Sequence, residues 1–210
     1  MMLGDKFSII NDDCMNILPK YEDNYFDLAI VDPPYGLGDK LKQGGNTGVV
    51  TFKDLYNGFD EAIPDKKYFD ELFRVSKNQI IWGANYFLDY LGNTRGIICW
   101  DKNLGHPRNF SHFEFAWTSF DCIARKISYS SNSGDRIHPT QKPIKLYRWL
   151  LETYAEPTDK ILDTHLGSGS IAIACHYFDT EEFVGIEIHK EYYDMANKRI
   201  QEETKQIKLL

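Results

Sequence analysis

Asp32-Pro33-Pro34-Tyr35 sets a carboxylate, two prolyl carbonyls and an aromatic ring in four consecutive positions. Such a set can accept hydrogen bonds and stack a ring. The run before it, residues 26–31, is apolar and reads as a buried strand. Proline fits neither a helix interior nor a central strand, so the strand must stop there and carry the four residues at its C-terminal end. In an open α/β sheet that is where ligands bind. The plain alternative is a Pro-Pro turn with a capping Asp.

A second stretch has the chemistry of a nucleotide site. Residues 160–163 read as a strand ending in Asp163, and the turn that follows holds Leu166, Gly167, Ser168 and Gly169. Small residues then open a helix at Ile171, and a further strand, 182–187, ends in Glu187, eighteen residues after Gly169. An acidic side chain there can accept both hydroxyls of a ribose, and glycines let the backbone approach a ligand. A tight βα turn with a surface Glu is the plain alternative. The dinucleotide fingerprint is imperfect, because Ala172 takes the place of its third glycine.

The elements that must position these residues follow from periodicity and punctuation. Residues 7–10 form a short β-like run, with a turn at Asn11-Asp12-Asp13-Cys14. A Gly-rich loop from Gly36 to about Asp60 starts at the first stretch and is expected to act as a mobile lid. The spacing of Phe69, Leu72 and Phe73 predicts a helix over 66–75. Strands are predicted at 79–82, 96–100 and 113–118, and a Ser-rich, locally basic stretch, 121–142, reads as a second long loop. Pro143 opens a helix that Pro157 closes, and a terminal helix starts near 190. About seven strands with interposed helices argue one α/β domain over 1–210 with a mostly parallel sheet.

Composition sets limits. The chain has 210 residues and a formal net charge of −7, which weighs against a large nucleic-acid footprint. Residues 121–148 are locally positive, with Arg125, Lys126, Arg136, Lys142, Lys145 and Arg148 against Asp121 and Asp135, so a small basic face is allowed. Cys14, Cys99, Cys122 and Cys175 are scattered with no Cys-x-x-Cys pair, so neither zinc nor a disulfide framework is expected. No apolar run approaches the roughly 20 residues of a membrane helix, and the N-terminus lacks a signal-peptide core, so the expected setting is cytoplasmic.

Taken jointly, these stretches resemble the S-adenosylmethionine-dependent amino-methyltransferases of DNA. Asp32-Pro33-Pro34-Tyr35 is similar to their catalytic motif, and Asp163-Thr164-His165-Leu166-Gly167-Ser168-Gly169 to their cofactor loop. The order, catalytic motif first, is similar to their β-class arrangement. Asp12-Asp13-Cys14, Ile81-Trp82-Gly83-Ala84-Asn85, Ile98-Cys99-Trp100-Asp101-Lys102 and His138-Pro139-Thr140-Gln141-Lys142-Pro143 extend the likeness over most of 7–200. It implies a Rossmann-like, seven-stranded methyltransferase sheet with helices on both faces. The catalytic half would span about 7–120 and the cofactor half about 143–200, with mobile loops at 36–60 and 121–142.

The resemblance also implies roles. Asp32 and the Pro33 carbonyl would hold the two N–H groups of a base's amino group, localising its lone pair, while Tyr35 would stack the extruded base. Glu187 would bind the cofactor ribose; Asp163, Leu166, Gly167, Ser168 and Gly169 would surround its methionine portion. Asp13 and Cys14 would meet the adenine, and Thr140 and Lys142 the methionine carboxylate. Two departures stand out: Thr164-His165 replaces the family's Pro-Phe, and the target-recognition gap, about 121–137, is short. The implied activity is methylation of adenine N6 in double-stranded DNA, as in restriction-modification systems. Cytosine N4, an RNA substrate, a non-catalytic nucleic-acid-binding subunit and, more distantly, a nicotinamide oxidoreductase are the competing readings. A homodimer is expected.

Overall fold

The computed structural model describes residues 6–38, 60–104, 111–131 and 136–205. Its strands are β1 (Phe7–Asn11), β2 (Phe26–Val31), β3 (Ser76–Trp82), β4 (Ile97–Asp101), β5 (Phe113–Thr118), β6 (Arg125–Ser128), β7 (Lys160–Asp163) and β8 (Glu182–Glu187). The helices among the described residues are α1 (Cys14–Ile17), α2 (Lys66–Val75), α3 (Ile144–Tyr154), α4 (Ser170–Phe178) and α5 (Lys190–Thr204). All the strands join one sheet in the order β1-β8-β7-β2-β3-β5-β4-β6. Pairing is parallel from β1 across to β3; β5 runs antiparallel to both β3 and β4, and β6 is parallel to β4.

Alternation along the strands builds two cores. On β2, Leu28 and Ile30 enter one cluster, which α3, α4 and α5 cover with Leu146, Leu150, Ile173 and Ile200. Ala29 and Val31 enter the other, which α1 and α2 cover with Ile17, Phe69 and Leu72. Strands buried on both faces read as continuous apolar runs, which is why β2 was legible. Trp82 and Trp100 meet edge to face in the first core, with ring centroids 6.1 Å apart.

The connections fix the site. From β2 the chain leaves through α2, on one face, to reach β3 on one side. From β7 it leaves through α4, on the other face, to reach β8 on the opposite side. β2 and β7 are neighbours, so the sheet has its topological switch point between them, and a crevice must open above their C-terminal ends. Asp32 and Asp163 follow and end those two strands.

The sequence reading differs from this fold in three places. The sheet has eight strands, not seven, because β6 lies inside the stretch read as a loop. Its residues, Arg-Lys-Ile-Ser, show no apolar period, and charge is how an edge strand avoids foreign pairing. β3 starts at Ser76, earlier than its apolar part. Pro143 caps α3 in an extended conformation instead of opening it. Residues 39–59 and 132–135 lie outside the described residues, and with them most of the expected lid. Among the described residues no helix is long and apolar enough to cross a membrane. Of the local positive surplus, Lys142 is buried and Lys126 pairs with Asp101 at 2.8 Å.

Candidate active site

A cleft with about 760 Å³ of empty space, its open mouth included, lies at the switch point. Asp32, Pro33, Pro34, Tyr35, Thr140, Lys142, Leu166, Gly167, Ser168 and Glu187 all line it. Two stretches more than a hundred residues apart in sequence thus face each other across one crevice. Asp13, Cys14, Asp163 and Gly169 are not on its wall. Asp13 caps α1 by accepting the Met15 N–H at 2.8 Å, and Cys14 is buried with its thiol pushed up to about 12 by burial.

On the β2 side, the Asp32 carboxylate accepts from the Tyr35 hydroxyl through Oδ1. Its Oδ2 meets the Lys142 ammonium at 2.5 Å. Lys142 is no surface lysine: its side chain is 2% exposed, and its ammonium also lies 3.0 Å from Glu114 Oε2. Lys102 pairs with the other oxygen of Glu114 at 2.5 Å. Burial raises the Asp32 pKa against the pull of Lys142. Glu114 is buried too, yet Lys142 and Lys102 together draw its pKa down to about 2. Lys142 stays protonated, because the two carboxylates outweigh its desolvation. Its ammonium is therefore committed to Asp32 and Glu114 in this structure.

Tyr35 is held on its ring as well as its hydroxyl. It stacks on Tyr86 with centroids 4.8 Å apart and planes 12° apart. Gly83, at φ +75°, ends β3 directly against it, and a Cβ there would fall 2.2 Å from Tyr35 Cε1. The ring expected to be open to an extruded base thus already has Tyr86 on one face. Asp60 pins the start of the long loop, its carboxylate accepting the Gly36 and Leu37 N–H groups at 2.9 and 3.2 Å.

On the β7 side, Glu187 braces the glycine turn. Its Oε2 accepts the Gly167 N–H at 2.8 Å and its Oε1 the His189 N–H at 2.9 Å. Gly167 and Gly169 both take positive φ, +52° and +72°, where a side chain would be strained. From α5, Arg199 donates to the Ser168 carbonyl at 2.8 Å and the Ser170 hydroxyl at 2.9 Å, clamping the turn from behind. Thr164 and His165, the departures from the family's pattern, form a polar chain: Tyr68 Oη meets Thr164 Oγ1 at 2.7 Å, and that oxygen meets His165 Nδ1 at 2.9 Å. Burial lowers the His165 pKa to about 4, so a neutral imidazole lines the cleft. His138 is likewise neutral, lowered to about 3 by burial, and its Nδ1 accepts the Thr140 N–H at 3.3 Å.

Asp163 lies beneath the turn and accepts the His165 N–H at 3.0 Å. Burial, with Asp32 and Glu187 nearby, pushes its pKa up to about 8. In the unfolded chain it ionises near pH 4 (about 3.9). Between those values only the folded state keeps the proton, so this group makes stability fall as pH rises across that window. Asp163→Asn removes the effect. Thermal unfolding should show the variant gaining about 1 kcal/mol or more on the parent protein between pH 5 and pH 8, since each pKa unit is worth about 1.4 kcal/mol.

Glu114, Asp60, Tyr147, His165, His189 and Tyr192 also line the cleft and were not foreseen as site residues. A signal existed for Glu114, a lone carboxylate in an otherwise apolar strand. For His165 the signal was its place beside Leu166 in the glycine-turn stretch; for the others there was none, since their place depends on where distant elements pack.

Comparison with known proteins agrees with this geometry. The family model described as DNA methylase (N6_N4_Mtase) matches residues 65–198, well over half of the chain. The chain belongs to this DNA methylase family. Among its curated relatives, the type II methyltransferase M.HpaI of Haemophilus parainfluenzae is 25% identical over 241 residues, covering 93% of this chain and 74% of that protein. Two solved structures share the fold. The M1.HpyAVI–SAM complex superposes with a TM-score of 0.63 at 24% identity, covering 92% of this chain and 98% of the other. The cytosine-N4-specific PvuII DNA methyltransferase gives 0.62 at 14% identity, covering 95% and 92%. As a family member the chain is a DNA methyltransferase.

Proposed function

We propose that this DNA methyltransferase takes its methyl group from S-adenosylmethionine and places it on the N6 amino group of adenine. One observation carries the reading: Asp32 and Pro33 form one wall of a cleft whose other wall is the Gly167 turn braced by Glu187. The residues fit the donor. Glu187 lines the cleft and keeps lone pairs after accepting two backbone N–H groups, which suits a ribose diol. When bound, S-adenosylmethionine supplies an electrophilic methyl group on a sulfonium.

The chain's own residues do the rest. An exocyclic amino nitrogen is a weak nucleophile because its lone pair is delocalised into the ring. The Asp32 carboxylate accepts one of its N–H groups and the Pro33 carbonyl the other, drawing the nitrogen towards tetrahedral geometry and localising that pair. Two prolines fix the spacing of these acceptors, so little reorganisation is needed. The raised pKa of Asp32 also suits its oxygen to take the proton that the nitrogen sheds after transfer. Glu187, Gly167 and Ser168 hold the donor on the opposite wall. Asp32 itself favours adenine over cytosine, since the cytosine-N4 members that the chain resembles more often start this motif with Ser.

Tritiated S-adenosylmethionine and genomic DNA, digested to nucleosides after incubation, test the assignment. Label in N6-methyldeoxyadenosine is expected. Label in N4-methyldeoxycytidine would overturn the choice of base, and no label would favour a non-catalytic partner subunit. Gly83→Ala is expected to lower kcat by about 10²-fold, because pushing Tyr35 aside displaces Asp32, and misplacement of that order has such an effect. The affinity for S-adenosylmethionine should hold, as measured by calorimetry. A homodimer in the cytoplasm completes the reading, and a monomeric mass by sedimentation would contradict the dimer.

A further inference from the structure

Glu114 has no place in the reaction as derived so far, yet it sits at the centre of the buried charge cluster. Lys142 stands between two carboxylates, 2.5 Å from Asp32 Oδ2 and 3.0 Å from Glu114 Oε2. The two contacts differ in length, the one to Asp32 being the shorter. Lys102 secures the other oxygen of Glu114 at 2.5 Å. The cluster therefore holds two lysines against two carboxylates.

We propose that Glu114 is a positioning residue that shares Lys142 with Asp32 and so keeps Asp32 able to accept the target amino group. The inference rests on the catalytic reading of Asp32 given above. A buried lysine with one counter-ion closes on it, because no water competes for its charge. With a second carboxylate 3.0 Å away, the ammonium can lean towards Glu114 as a base enters, at little electrostatic cost. Asp32 stays ionised without being consumed by the ion pair. Loss of the Glu114 charge would leave Lys142 on Asp32 alone, in direct competition with the substrate.

The test is a cycle of Glu114→Gln, Lys142→Met and their combination, in the full-length protein. Glu114→Gln keeps the shape and removes the charge. It is expected to lower kcat about tenfold or more with the S-adenosylmethionine dissociation constant within about twofold of the parent. Above the acid limb of each variant's rate profile, the double variant is expected to turn over faster than Glu114→Gln, because no ammonium is left on Asp32. A purely structural ion pair would give losses that accumulate. A kcat within about twofold of the parent for Glu114→Gln, or a double variant slower than it, would overturn the proposal. A crystal structure of Glu114→Gln supplies a readout besides activity. Lys142 is expected on Asp32 alone, and a lysine still midway between the two side chains would contradict the sharing. Absence of methylation by the parent protein would instead count against the catalytic reading, leaving the crystallographic comparison to decide the role of Glu114.

Discussion

Asp32→Ala is expected to lower kcat by about 10²–10³-fold or more while leaving the S-adenosylmethionine dissociation constant within about twofold. The substitution removes the carboxylate that accepts an N–H of the target amino group. The backbone carbonyl of Pro33 remains, so half of the arrangement survives, but one acceptor alone does not hold the nitrogen in its reactive geometry. Donor binding should persist because the Gly167 turn is braced elsewhere, by Glu187 and Arg199. The fold should tolerate the change, since Lys142 keeps Glu114 as a counter-ion. Calorimetry with S-adenosylmethionine separates the two effects. A variant that loses donor binding along with turnover would show that Asp32 lies in the donor site.

Lys142→Met should have the second large effect, on both stability and pH dependence. Breaking a buried ion pair by removing one partner costs about 3–5 kcal/mol, because it strands a charge. Here it strands Asp32 and leaves it near Glu114 without the shared cation. The sign with pH follows from Asp32. Burial raises its pKa and Lys142 offsets part of that rise. Without the lysine, Asp32 holds its proton to higher pH, so the acid limb of kcat against pH moves upward. The stability deficit should shrink as pH falls, because protonation removes the stranded charge. Rate profiles and melting curves across pH check both. An acid limb that stays in place would mean that Asp32 does not govern that limb.

Much of this site was legible before folding, and particular residues show why. Asp32-Pro33-Pro34-Tyr35 is readable because proline rules out a continuing strand, so the end of β2 is written into the residues themselves. The glycine turn and Glu187 are readable because a βαβ unit has fixed parts at nearly fixed spacing. Lys142 was placed near the site on resemblance, but its burial and its two carboxylate partners come from β5 and the β2 turn, far away in sequence. β6 stayed hidden for the opposite reason: it is an edge strand with exposed charged residues and so looks like a loop. Asp13, which the resemblance sets beside the adenine, caps α1 in the structure, a role that a carboxylate before a short helix commonly takes. The stacking of Tyr86 on Tyr35 depends on the turn after β3, which carries no local signal.

Sequencing that maps modified bases in DNA from cells expressing either the parent protein or Asp32→Ala tests the central claim most directly. The expected result is N6-methyladenine at a defined sequence with the parent protein and its absence with the variant. N4-methylcytosine, unmodified DNA with the parent protein, or equal N6-methyladenine with both proteins would contradict an adenine methyltransferase that acts through Asp32.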